Sequence, residues 1–241
     1  AARREKKGDN ISVPKNRQFN DAEMVYRTEL VATPLERHLF SVGLEGINNV
    51  QLSQKKGTHR AVFSSGFKYY INYHSSASSP SYITLHKFSG IKIRELEDNS
   101  ELTEELKNYG LSKKEFFKFK TSEGVQLNGW MLKPSDFDES RKYPVLMYVY
   151  GGPGVQTVQD SWGGRNEFWY QMLAQQGYII VSVDNRGTGA RGTEFQKCTY
   201  KELGKLETID QIEGAKYLCG LPYVDSSRIG IWGWSYGGYM T

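Results

Sequence analysis

The chain has 241 residues, of which 38% are hydrophobic, 24% charged and 13% aromatic, and its formal net charge is +4. This composition is typical of a globular protein with one large domain or two small ones, and so mild a charge favours neither nucleic acid nor an anionic membrane surface as a partner. The longest apolar runs, residues 145–150 and 178–181, are far too short to span a membrane.

The first 23 residues contain a cluster of basic side chains and few apolar ones. This pattern predicts a solvated, poorly ordered leader over residues 1–23, with a binding arm as the alternative. No signal peptide is recognisable, although Ala1-Ala2-Arg3-Arg4 does not resemble a native start. The basic residues are Arg3, Arg4, Lys6, Lys7, Lys15 and Arg17.

Residues 24–95 read as β structure. Short β-branched or aromatic runs are separated by Gly, Asn, Ser and Pro, which predicts a sandwich, a barrel or propeller blades. Residues 96–110 are charged and helix-competent, so we predict a linking helix there, on a domain boundary. The predicted strands are residues 25–30, 38–42, 50–53, 61–64, 69–74 and 82–87.

The pattern changes after residue 110. A hairpin is followed by an alternation of continuous apolar runs and helix-competent segments, which predicts a doubly wound α/β domain over residues 111–241. The apolar runs predict parallel strands buried on both faces. The hairpin is predicted from residues 116–120 and 125–133, the strands at 144–150 and 179–184, and the helices at 166–176 and 206–219. The apolar face of the second helix is predicted at Leu206, Ile209, Ile212, Ala215 and Cys219.

Two cysteines, Cys198 and Cys219, are present in the chain. Two cysteines form neither a disulfide framework nor a metal site, so we predict free, buried thiols. The sequence indicates no cofactor and no metal.

The segment Gly233-Trp234-Ser235-Tyr236-Gly237 has the form G-x-S-x-G and follows a short predicted strand. In that context the motif predicts a sharp strand-to-helix turn that exposes a serine nucleophile, with a plain glycine-rich turn as the alternative. Gly233 and Gly237 lack Cβ atoms, so the strand and the helix can approach closely. Ser235 would lie at the first turn of a helix, where the dipole favours negative charge.

A second glycine-rich loop, Tyr150-Gly151-Gly152-Pro153-Gly154, ends an earlier predicted strand. In α/β hydrolases the loop after such a strand supplies one donor of the oxyanion hole, and the residue after the serine supplies another. On spacing alone, Tyr150 is either a hydroxyl donor to the oxyanion or a packing aromatic. The backbone N–H of Tyr236 would be the second donor.

The run from Gly187 to Gly192 matches G-x-G-x-x-G, which is found in dinucleotide-binding proteins. Asp184-Asn185-Arg186 separates it from its strand, and the polar residues 193–204 behind it predict irregular structure. A loop beside the active site is therefore the preferred interpretation, with Arg186 anchored by a carboxylate. Asp225 and Arg228 are predicted to be a turn-stabilising pair.

A serine nucleophile needs a base and an orienting carboxylate, which in α/β hydrolases follow the serine in chain order. No acidic residue or histidine follows Ser235 in this sequence. The four histidines, His38, His59, His74 and His86, are predicted to be surface or strand residues, and none is assigned as the base.

Several of these segments together resemble the prolyl oligopeptidase family of serine peptidases. Residues 231–239 are similar to its nucleophile elbow, and their Trp234-Ser235-Tyr236 centre resembles the dipeptidyl peptidase IV branch. Residues 96–100, 149–153, 184–189 and 208–213 agree with the same branch, so the resemblance covers about residues 24–241.

The resemblance implies the last strands of a β-propeller over residues 24–95 and the N-terminal half of an α/β-hydrolase domain over 111–241, truncated after the elbow. It implies that Ser235 is the nucleophile, Tyr150 the oxyanion hydroxyl and Tyr236 a backbone donor. The Tyr236 ring would line the substrate pocket, and we expect Trp234 to bind substrate as well. The family's propeller glutamate pair, which holds the substrate's amino group, has no match here; Glu104-Glu105 lies in the linker.

The sequence therefore predicts part of a serine exopeptidase that releases N-terminal dipeptides after proline or alanine through an acyl-enzyme. Its partners would be peptides with a free N-terminus, and the full-length protein would be a homodimer. The resemblance alone favours an extracytoplasmic location. The alternatives are an oligopeptidase, acylaminoacyl peptidase or esterase of the same fold, a non-enzymatic propeller binding protein, and a dinucleotide-binding oxidoreductase.

Overall fold

The structure, a computed structural model, describes residues 24–29, 33–43 and 46–241; the leader predicted for residues 1–23 lies outside these ranges. Two compact units are present. The first ends at Asn108 and also includes Gln159–Trp162, and the second comprises Tyr109–Val158 and Gly163–Thr241. Within the described ranges, no helix has both the length and the apolar character of a membrane-spanning segment.

The described residues of the first unit form two antiparallel sheets and the short helix α1 (Ser100–Leu106). Its three-stranded sheet has the order β1-β2-β3, and its four-stranded sheet is a simple meander, β4-β5-β6-β7, which is the form of a propeller blade. Leu39 and Tyr70 are the buried centre of a small apolar cluster. The strands are β1 (Met24–Glu29), β2 (His38–Gly43), β3 (Val50–Gln51), β4 (Thr58–Phe63), β5 (Tyr69–Ser76), β6 (Ser79–Lys87) and β7 (Lys92–Glu97).

Strand β7 was missed by the sequence pattern, and the predicted linking helix was placed too early. Every residue of β7 is exposed and four of the six are charged, so no apolar alternation marks it. Charged side chains are usual on an edge strand, where they discourage pairing with other chains. Residues 96 and 97 end this strand, and helix α1 (Ser100–Leu106) and a 3₁₀ turn (Lys107–Tyr109) follow.

The second unit is a five-stranded sheet with helices, in the order β12-β10-β11-β9-β8. The predicted hairpin is confirmed, and β10, β11 and β12 run parallel. The strands are β8 (Lys114–Lys120), β9 (Gln126–Leu132), β10 (Tyr143–Val149), β11 (Ile179–Asp184) and β12 (Val224–Gly233). The helices are α2 (Arg165–Gln175), α3 (Thr193–Lys197), α4 (Lys205–Cys219) and α5 (Tyr236–Met240).

The core of the second unit lies between the sheet and α4, around Leu127, Val145, Val181 and Leu218. Strand β11 is buried throughout, as predicted for a central parallel strand. Strand β10 instead alternates between buried and half-buried residues, so the prediction of two buried faces was wrong for it.

Helix α4 forms where it was predicted, but its buried face is not the predicted apolar one. Ile212 is 50% exposed, and Cys219 is exposed. Cys198 is exposed too, so the two thiols are free as predicted, but the prediction that they are buried was wrong. Three polar side chains of α4 instead bind Tyr236, Arg186 and Asn185. The buried residues of α4 are Glu207, Asp210, Gln211, Gly214 and Leu218.

Candidate active site

The ends of two neighbouring parallel strands define the site. Val149 of β10 lies opposite Gly233 of β12 in the register of the sheet. Tyr150 follows the first of these residues and Ser235 follows the second by two positions, so both leave the sheet at its carboxyl edge. Open α/β sheets bind their ligands at this edge.

Ser235 lies in the sharp turn between β12 and helix α5. Its backbone has φ 58° and ψ −118°, a conformation that residues with a Cβ atom rarely adopt and that costs of order 1–3 kcal/mol. The residue is exposed, and its hydroxyl makes no capping hydrogen bond to α5. The turn therefore holds an exposed serine in a strained conformation, which is the geometry of a nucleophile elbow.

Three glycines allow the backbone to pass closely around this turn. A Cβ at Gly233 would lie 2.5 Å from the carbonyl oxygen of Val149, and one at Gly237 would also collide with that oxygen. A Cβ at Gly152 would lie 2.6 Å from the Tyr150 ring and 3.0 Å from Cγ of Tyr236. The expected close approach of strand and helix at Gly233 and Gly237 is confirmed.

Two tyrosine rings line the loop next to Ser235. The ring centroids of Tyr150 and Tyr236 are 6.1 Å apart, and the Tyr236 hydroxyl donates a 2.9 Å hydrogen bond to Oε1 of Glu207. Burial, together with this hydrogen bond, raises the pKa of Tyr236 to about 12, so its hydroxyl stays protonated and donates at neutral pH. Trp234 is 81% exposed beside them.

A buried amide network holds the loop after β10 to the loop after β11. Nδ2 of Asn185 donates to the Gly151 carbonyl at 3.0 Å, and Nε2 of Gln211 donates to Oδ1 of Asn185 at 2.9 Å. Asp184 accepts hydrogen bonds from the backbone N–H groups of Thr157 and Val158. These contacts fix the glycine loop that carries Tyr150.

Arg186 anchors the second glycine-rich loop through a carboxylate, as predicted. Its Nε and Nη2 groups donate to Oδ1 of fully buried Asp210, at 3.0 and 2.7 Å, and its Nη1 lies 2.7 Å from Glu123. The hydrogen bonds to Asp210 raise the pKa of Arg186 above its usual value.

Two other predictions concern the neighbouring loops. The segment behind Gly192 is helical over α3 rather than irregular, but this helix has only five residues. The Arg228–Asp225 pair also forms, at 2.6 Å.

Sequence reasoning missed the roles of Glu207, Asp210 and Gln211 on α4. Positions 207, 210, 211, 214 and 218 share one helical face at i, i+3, i+4, i+7 and i+11. The spacing was available in the sequence. The predicted buried face contains only apolar residues, whereas three of the five residues on the observed face are polar.

The four histidines all lie in the first unit, on its strands. His38, His59 and His74 are buried, so the alternative of a surface position is wrong for these three. Their rings form a row, with centroids 5.4 and 4.5 Å apart. Their hydrogen bonds join them to neighbouring backbone and side chains of the same unit.

Comparison with known proteins gives two family matches in chain order. The model of the dipeptidyl peptidase IV (DPP IV) N-terminal region matches residues 12–81, and that of the prolyl oligopeptidase family matches residues 166–241. The first match begins within residues 1–23, for which a leader is predicted. The order of the two matches fits a propeller strand region followed by a portion of a hydrolase domain.

The similar proteins are dipeptidyl peptidases by name. A probable dipeptidyl peptidase 4 of Emericella nidulans is 37% identical over 92% of this chain, and human dipeptidyl peptidase 8 is 32% identical over 97% of it. The crystal structure of Porphyromonas gingivalis dipeptidyl peptidase 4 matches 96% of this chain at a TM-score of 0.89 and 44% identity. The chain covers 29%, 26% and 33% of these three proteins, respectively.

Proposed function

We propose that this chain, which belongs to the dipeptidyl peptidase IV branch of the prolyl oligopeptidase family, carries the nucleophile of a serine exopeptidase that releases N-terminal dipeptides. The observation that carries the proposal is the strained, exposed backbone turn at Ser235, at the carboxyl end of β12. The names of the similar proteins support the dipeptidyl specificity.

In the proposed reaction, Oγ of Ser235 attacks the carbonyl carbon of the second residue of the peptide. The Oγ proton passes to a base, and the new C–O bond gives a tetrahedral oxyanion. The N–H of Tyr236 and the hydroxyl of Tyr150 would donate to this oxyanion, one such donor being worth about 3 kcal/mol in the transition state. The C–N bond then breaks, the amine leaves with the proton, and water hydrolyses the acyl-enzyme.

The base and its orienting carboxylate are assigned to no residue of this chain. The buried histidines of the first unit already hydrogen-bond within that unit. Because the chain spans a quarter to a third of its relatives' length, we propose that the longer protein supplies both groups.

We propose that the Tyr236 ring and exposed Trp234 contact the substrate, and that proline or alanine is preferred as its second residue. The half-buried ring of Tyr236, beside that of Tyr150, gives an aromatic wall against which a small apolar ring can pack. The division into propeller residues 24–95, linker 96–110 and hydrolase residues 111–241, and a homodimer of the full-length protein, are part of the same proposal.

The proposal is tested with the full-length protein and a Gly-Pro chromogenic amide. The free-amino substrate should be cleaved and its N-blocked form should not, because an exopeptidase of this kind needs the free terminus. Cleavage of the blocked form would instead indicate an oligopeptidase or acylaminoacyl peptidase. Ser235→Ala should remove the activity. Ser227→Ala changes an exposed serine of β12, the strand before the elbow, and should retain the activity.

A further inference from the structure

The carboxylate of Glu207 is buried beside the elbow. Glu207 is 0% exposed in the first turn of α4. Its Oε2 accepts a 3.0 Å hydrogen bond from the N–H of Gly204, and its Oε1 accepts the 2.9 Å bond from the Tyr236 hydroxyl. In the described part of the chain, no lysine, arginine or histidine forms an ion pair with it.

Burying a carboxylate is costly unless hydrogen bonds and nearby dipoles compensate. The N-terminal end of α4 provides part of this compensation, because the helix dipole favours negative charge there. A glutamate that only caps the helix could do so from an exposed position. The full burial of Glu207 therefore indicates a second task, and the Tyr236 hydroxyl is its other partner.

The Tyr236 side chain is held along its whole length. Its ring centroid lies 6.1 Å from that of Tyr150 and 5.3 Å from that of Tyr239, and its hydroxyl donates a hydrogen bond to Glu207. The backbone N–H of the same residue directly follows Ser235. Fixing the side chain therefore restricts the rotation of the peptide group that carries the N–H.

The geometry points to Glu207 as a positioning residue that, through the Tyr236 hydroxyl, holds the oxyanion-binding N–H in place beside Ser235. This inference rests on the proposed function only through the nucleophilic role of Ser235. It does not depend on the choice of peptide substrate.

The test measures the rate constant of fluorophosphonate labelling in the full-length protein. In this reaction Oγ of Ser235 bonds to phosphorus, fluoride leaves, the Oγ proton passes to the base, and the phosphoryl oxygen occupies the oxyanion site. Glu207→Gln and Tyr236→Phe should each lower the rate constant about tenfold, the effect of one hydrogen bond. The double variant should also lose about tenfold rather than about a hundredfold, because both changes act on the same contact: Glu207→Gln removes the charge of its acceptor and Tyr236→Phe removes its donor.

Glu213→Gln is the matched control. Glu213 lies on the same helix but binds the Ser122 N–H and Lys216, so its loss should leave the labelling rate unchanged. If Glu207 only caps α4, Tyr236→Phe will label at the wild-type rate and Glu207→Gln will change only the melting temperature. That result, or additive effects in the double variant, would overturn the inference.

The same measurement separates this inference from the proposed function. A wild-type protein that is labelled at Ser235 but releases no dipeptide refutes the exopeptidase proposal, while the variant rates still decide the role of Glu207. A wild-type protein that is not labelled at Ser235 overturns both.

Discussion

The carbonyl oxygen of Val149 occupies the space that a Cβ atom at Gly233 would need, with a separation of only 2.5 Å. These two residues lie opposite each other on the parallel strands β10 and β12. The contact explains why the first glycine of the elbow is required. It also shows how closely the strand before Ser235 approaches the strand before Tyr150.

The first prediction concerns this contact. Gly233→Ala should lower the free energy of unfolding by about 1–3 kcal/mol, because backbone atoms must move to accept the methyl group. It should also slow fluorophosphonate labelling, since the turn at Ser235 moves with them. Gly230→Ala, on the same strand, is the control: its Cβ would meet only Leu146 Cδ1, at 3.6 Å. Equal stability of the two variants in urea unfolding would contradict the account.

The second prediction concerns the Tyr150 hydroxyl. Tyr150→Phe should lower kcat about 10²- to 10³-fold with little change in KM, because a donor to the oxyanion acts mainly in the transition state. Tyr148→Phe is the control: Tyr148 lies two residues earlier, its ring packs against that of Trp232, and the variant should retain kcat. A Tyr150→Phe enzyme with wild-type kcat would leave Tyr150 only a packing role.

Much of the site follows from the sequence because the elbow is a local structure. The glycines at positions 233 and 237 restrict the backbone within a few residues of Ser235, so the motif and its preceding strand were enough to predict the turn. Strand β11 was likewise predicted at its observed bounds, because a short continuous apolar run is typical of a strand buried on both faces.

The face of α4 could not be predicted in the same way. Glu207, Asp210 and Gln211 are buried because Tyr236, Arg186 and Asn185 lie opposite them, between 24 and 29 residues away in sequence. Without those partners, an apolar stripe is the better candidate for burial. Strand β7 could not be predicted for a related reason, since it is defined by its pairing with β6 rather than by an apolar pattern of its own.

The third prediction concerns the buried ion pair next to this network. Asp210→Asn should lower the free energy of unfolding by about 3–5 kcal/mol, because it leaves Arg186 without its buried counter-charge. Asp225→Asn removes the charge from an ion pair with an exposed arginine and should change stability much less. Thermal unfolding of the two variants provides the comparison, and a larger loss in Asp225→Asn would refute the ranking.

The fourth prediction concerns pH. Burial, together with the neighbouring histidines, lowers the pKa of His59 from 6.5 to about 4. Between these values the unfolded chain binds a proton that the folded protein does not. The stability is therefore fully present above pH 6.5 and decreases as the pH falls to about 4, by up to about 3 kcal/mol.

His59→Gln should make this pH dependence shallower, because the proton uptake on unfolding is removed. Measuring both proteins at pH 7.5 as well as at pH 4.5 separates any loss of packing from the effect of protonation. The same slope in wild type and variant would show that His59 does not cause it.

The nucleophilic role of Ser235 is tested most directly by labelling the full-length protein with a fluorophosphonate and locating the adduct by peptide mass spectrometry. We predict one phosphonylated residue, Ser235, and no adduct in Ser235→Ala. An adduct on another serine, with Ser235 unmodified, would contradict the account.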